Sequence, residues 1–212
     1  MSHAELDAHE PTPGDETPAT AAAVRKRPKP GERRVQILQA LATMLEQPGA
    51  ERITTAALAA RLEVSEAALY RHFASKAQMF EGLIEFIEQS VFTLINQIAE
   101  REPAGPVQAG RIVAMLIQFA EKNPGMTRVM VGDALVFENE RLQQRMNQFF
   151  DKVETSLKQC LRSDDGPTPT LDAQVRASVL TAFIVGRLQR FARSGFKRMP
   201  SEHLEASLAL IL

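Results

Sequence analysis

Tryptophan is absent from the 212 residues, tyrosine and cysteine occur once each, and no stretch of the chain is apolar enough for long enough to span a bilayer. A lone cysteine, Cys160, excludes an internal disulfide framework and any multi-cysteine metal site. The N-terminus lacks the apolar segment of a signal peptide, so a soluble, cytoplasmic chain with no membrane partner is expected. Also missing are a glycine-rich phosphate loop, a nucleophile elbow, and the His-Glu-x-x-His or paired-cysteine patterns of metal sites. The histidines, His3, His9, His72 and His203, are scattered, and Glu138 with Glu140 reads as solubilising charge. Neither catalysis nor a cofactor is expected.

What remains is rich in alanine and leucine, with 44% apolar residues, enough for one good core and a small satellite domain. The net charge of −1 conceals an asymmetry. Residues 1–21 hold five acids and no base, whereas residues 22–76 hold ten bases against five acids. The remainder is close to neutral. Positive charge therefore gathers on one segment, as phosphate binding requires.

Helical periodicity runs through almost the whole chain, so the fold class is all-α. Residues 1–31, rich in Pro, Ala, Thr and acids, read as a disordered tail, and the basic cluster Arg25–Lys29 reads equally as a DNA-touching arm or a solvated linker. Ile37, Leu38, Leu41, Met44 and Leu45 predict a helix from Glu32 to Glu46, stopped by Pro48 and Gly49. Thr54 or Thr55 then starts a short helix with Leu58, Ala59 and Leu62 inward; after a break at Glu63 and Val64, Ser65 starts a second with Leu69 and Phe73 inward. That spacing fits a helix-turn-helix, and the head spans residues 32–76.

Donors suited to phosphate line this head: Thr54, Thr55, Ser65, Tyr70, Arg71, His72 and Lys76. Glu66 supplies charge to the first turn of the second helix, and Ala67 offers a methyl group to a thymine. The alternative is that Tyr70 and His72 pack between helices, which for Tyr70 is compatible with a hydroxyl directed outward.

Beyond Ser75 a helix is predicted from Lys76 to Arg101, with Leu83, Ile84, Ile87, Val91, Leu94, Ile95 and Ile98 on one stripe. Phe86 falls roughly 95° from the stripe's centre and Phe92 roughly 145°. Exposed phenylalanines would mark a contact surface; coverage by neighbouring helices is the alternative. Further helices are predicted over Val107–Lys122, Met126–Val131, Val136–Leu161 and Leu171–Ser194, with a last one capped by Ser201. Cys160 falls on an apolar stripe and reads as a small buried hydrophobe. Large and small residues mingle along Leu171–Ser194, which assigns that helix to a symmetric dimer interface within residues 77–212.

The pattern Thr54-Thr55-x-x-Leu58-Ala59, then Val64-Ser65-x-x-x-Leu69-Tyr70-x-His72-Phe73-x-Ser75-Lys76, resembles the N-terminal signature of the TetR family of dimeric DNA-binding proteins. One position departs from it: Glu63 stands where the turn usually carries glycine. The resemblance implies a homodimer reading palindromic double-stranded DNA. Leu83–Glu88, Glu121–Gly125, Arg141–Gln148 and Arg190–Lys197 further resemble the nucleoid-occlusion members of the family. Those members bind the C-terminal tail of FtsZ in a groove between the fourth and fifth helices and oppose division-ring assembly over the nucleoid. Phe86 and Asn123 match the groove pattern, Lys122 takes an arginine's place, and Leu94, Met115 and Gln118 depart from it. The commoner family pattern, a repressor released from DNA by a small apolar ligand, is the alternative.

Overall fold

A computed structural model describes residues 31–47, 52–162 and 169–212. The acidic tail with its basic cluster, the Pro48–Gly49 stop and most of the loop expected after Arg162 lie outside these residues. Among the described residues the chain forms α1 (Glu32–Leu45), α2 (Thr55–Arg61), α3 (Glu66–Tyr70), α4 (Lys76–Arg101), α5 (Pro106–Lys122), α6 (Pro124–Met130), α7 (Glu140–Leu161), α8 (Pro169–Arg193) and α9 (Leu204–Ile211), and no strand.

Three hydroxyl caps organise the head. Thr54, Ser65 and Ser75 each accept from an amide in the first turn of α2, α3 and α4, those of Ala57, Ala68 and Gln78. The α2–α3 turn closes by paired bonds, Val64 N–H to the Ala59 carbonyl at 3.0 Å and Glu63 N–H to the Ala60 carbonyl at 3.1 Å. That closure requires a left-handed residue, and Glu63 takes it with φ of 53°. A side chain in this conformation costs on the order of 1 kcal/mol.

Head and body share one core. Ile37, Leu41, Leu45, Leu58, Leu69 and Phe73 are continuous with Met79, Phe80 and Leu83 of α4, and these with the α5, α7 and α8 interior. Gly82 of α4 sits close under α1 and the end of the head: a Cβ there would meet Leu38 at 3.3 Å and Phe73 at 3.4 Å. A tighter approach occurs at Gly125 in α6, where a Cβ would lie 1.9 Å from the carbonyl oxygen of Ala42 in α1. The residues Glu102–Gly105 fold α5 back against α4, fastened by the Gln108 amide donating to the Glu102 carbonyl at 2.7 Å. Arg145 of α7 reaches both carboxylate oxygens of Glu88 in α4, at 3.2 and 2.5 Å, and those hydrogen bonds raise its guanidinium pKa.

α8 carries two faces. Ala173, Ala177, Leu180, Ile184 and Leu188 are buried in the body, while Leu171, Val175 and Val179 lie outward and half exposed. Of the small residues on α8, Ala173 and Ala177 face the body, whereas Ser178 and Ala182 are exposed on its outer side.

Four expectations need correction. α7 begins at Glu140, not Val136, because Gly132 at φ of 84° and a 3₁₀ turn, Asp133–Leu135, intervene. α9 begins at Leu204, after His203 in a left-handed conformation, and the Ser201 hydroxyl donates to Glu121 at 2.8 Å instead of capping. Phe92 is half buried, its ring edge-on to Phe149 at 5.6 Å, so of the two phenylalanines only Phe86 lies open. Glu138 is no free surface charge; its carboxylate pairs with Lys76. Cys160 is buried as expected, and loss of solvation pushes its thiol pKa up to about 11.

Gly125→Ala forces the α1 and α6 backbones apart. Urea denaturation should show a loss of about 1–3 kcal/mol of stability, in the range of overpacked cores; an unchanged midpoint would show that the seating yields.

Candidate nucleic-acid interface and partner groove

The exposed rim of the head is built from caps and the far side of α3. Thr54 and Ser65 accept from backbone amides at 3.1 and 3.3 Å, which leaves each O–H free to donate outward to a phosphate oxygen. Ala67 is exposed, as is Arg71 at the end of α3. Tyr70 is 44% exposed, so its ring rests on the head while its edge meets solvent. His72 is half buried, and its carbonyl accepts from the Arg34 guanidinium, which lies 4.1 Å over the Phe73 ring.

Three expected DNA-facing residues take protein partners. Thr55 donates to the Glu66 carboxylate at 2.5 Å, a tie that fastens α2 to α3 and holds Glu66's charge against the head. The Lys76 ammonium is taken by Glu138 and stands 5.7 Å over the Phe80 ring. These contacts give Thr55, Glu66 and Lys76 a part in fixing the head's geometry beside the DNA-facing role expected of them. A free lysine and a paired one look alike in sequence, because Glu138 lies 62 residues downstream of Lys76. Arg34 was missed for the same reason: its partners, His72 and Phe73, are close only in the fold.

The second surface lies on α4 and α5. Phe86 is 48% exposed on the outer face of α4. Phe86 and Lys122 both lie about 23 Å along their helices from the α4–α5 connection, so the hairpin sets them at one level. Lys122 is exposed at the last position of α5. Asn123 follows it, its side-chain amide donating to the Phe119 carbonyl at 2.7 Å, which closes α5 and leaves the amide oxygen as an acceptor. α4 and α5 thus each carry, at a similar height, exposed groups of the expected groove: the Phe86 ring on one and the Lys122 ammonium on the other.

The chain matches two sequence profiles, one for bacterial regulatory proteins of the tetR family over residues 37–83, and one for the tetracyclin repressor-like C-terminal domain over residues 106–212. It is 51% identical over 177 residues to the nucleoid occlusion factor SlmA of Idiomarina loihiensis, covering 82% of this chain and 90% of that protein. The SlmA of Vibrio vulnificus is 50% identical over 187 residues, covering 86% and 95%. Among solved structures, the TetR family regulator PfmR of Thermus thermophilus superposes with a TM-score of 0.64 at 19% identity, covering 84% of this chain and 95% of that one, a likeness of fold.

Tyr70→Phe removes one outward hydroxyl and no buried contact, and should weaken duplex binding roughly two- to tenfold at fixed salt. Arg71→Gln should also flatten the dependence of log Kd on log salt by about 0.9 for each phosphate no longer neutralised. Fluorescence anisotropy reads both; wild-type affinity and slope in both variants would remove these residues from the interface.

Proposed function

Because the chain belongs to the TetR family, and within it to the SlmA nucleoid occlusion factors, we propose that it is a DNA-bound dimer that captures the C-terminal tail of FtsZ and prevents division-ring assembly over the chromosome. Two heads related by a dyad, about one helical turn of DNA apart, suit a palindromic site. On this reading the protein works on the nucleoid, in the cytoplasm.

The observation that carries the partner is the half-exposed Phe86, an aromatic ring that the protomer's own core does not cover. Burying such a ring against a peptide yields a large share of binding energy, since anchors of this kind dominate interfaces. Lys122 and Asn123 at the same level supply charge and orientation.

DNA and partner are read by separate parts. The head supplies location, and the α4–α5 groove supplies the effect.

Titrating a fluorescent peptide of the FtsZ tail should give saturable binding that Phe86→Ala weakens at least tenfold, as truncating a buried anchor does, while duplex affinity stays as in wild type. A peptide that fails to bind a wild-type protein still competent for DNA would overturn this reading and direct attention to a small ligand.

A further inference from the structure

Outside the head and groove, positive charge gathers at one more place. The last turn of α8 and the connection to α9 enclose an open hollow of about 1030 Å³. Arg190, Arg193, Lys197 and Arg198 line it, with the hydroxyls of Ser194 and Ser201. One carboxylate, Glu202, reaches it, and that group stands 3.9 Å from His203. Among the described residues none of the four cations has an ion-pair partner, in contrast to Lys76, Arg111 and Arg145.

The turn that presents them is firmly built. The Ser194 hydroxyl donates to the Phe191 carbonyl at 2.8 Å and accepts from the amides of Lys197 and Arg198 at 3.1 and 2.8 Å. Gly195 and Phe196 both adopt φ of 63°, and the Phe196 ring packs edge-on against Phe191 at 5.1 Å. Arg190 and Arg193 in the last turn of α8 and Lys197 and Arg198 on the ordered connection together form an exposed cationic patch that suits a polyanion.

Position narrows the choice of anion. The Arg128 guanidinium of α6 lies 5.2 Å over Phe196, and Ser201 bonds Glu121 near the end of α5. α6 is itself seated on α1, so the hollow opens at the end of the body that carries the head. The outward stripe of α8, Val175, Val179, Ala182 and Gly186, continues at helical spacing to Arg190 and Arg193. If the protomers pair through that stripe, as the dimeric reading requires, the two hollows lie near the dyad on the side of the heads.

We propose that the paired hollows bind the phosphodiester backbone of the DNA between the two half-sites, as a second, sequence-independent contact. A duplex held by both heads runs through the dyad, and its charge repeats on both sides of it, as the paired cations do. This rests on the dimeric DNA-binding reading above.

The test uses the full-length dimer and a palindromic duplex obtained by selection, with anisotropy measured from about 50 to 200 mM salt, where phosphate contacts dominate. Lys197→Gln/Arg198→Gln changes residues beyond the end of α8, and sedimentation checks that the dimer persists; Arg193→Gln is the second variant. The expected result is several-fold weaker binding and a salt slope lower by about 0.9 for each phosphate that the variant no longer neutralises. Neutralising the central phosphates as methylphosphonates should weaken wild type and have little further effect on the variants. Equal slopes and an equal methylphosphonate penalty in all three proteins would overturn the proposal. So would stabilisation of wild type by inorganic pyrophosphate with no change in the variants' duplex slope, since a free phosphoanion would then be the occupant. A wild-type protein that binds no duplex would instead refute the DNA-binding reading itself.

Discussion

At Gly125 the amino end of α6 meets the carbonyl of Ala42 in α1 with no room for a single carbon between them. That seating fixes one of the two routes by which the head is joined to the body, the other being α4. Backbone against backbone does not compress, so the angle of α1 on α6 is set within narrow limits. The surrounding ties agree with it: Lys76 with Glu138 holds the root of α4, and Arg34 holds the end of α3 to α1. A change in the body that reaches DNA has to pass through α6 or along α4.

Much of this architecture was legible in the chain. The caps Thr54, Ser65 and Ser75 and the spacing of Leu58, Leu69 and Phe73 are local signals, and local signals survive folding. α4 runs from Lys76 to Arg101 as its stripe implied. What could not be read were pairings between distant residues. Lys76 resembles any phosphate-seeking lysine until Glu138 is folded against it, and Phe92 resembles Phe86 until α7 brings Phe149 alongside. The start of α7 was misplaced because Gly132 and the turn after it interrupt a run whose apolar residues continue. The resemblance to known DNA-binding regulators supplied the groove, which periodicity alone suggested only through the position of Phe86.

Glu63 shows how a departure from the family pattern is accommodated. The turn between α2 and α3 keeps the hydrogen bonds a glycine would allow, with a glutamate in the left-handed conformation. The cost is small beside the burial of Leu58, Leu69 and Phe73, each worth about 1.5–3 kcal/mol.

The outer face of α8 bears on how the protein behaves when scarce. Leu171, Val175 and Val179 are 59%, 53% and 47% exposed on a single protomer, and Leu210 of α9 is 90% exposed. A lone protomer keeps this surface wet; if the proposed dimer covers it, association adds to the stability of the fold, by an amount that grows with the number of molecules present. Thermal resistance would then be a property of the population as much as of the chain, with dilution loosening the structure before any residue is changed.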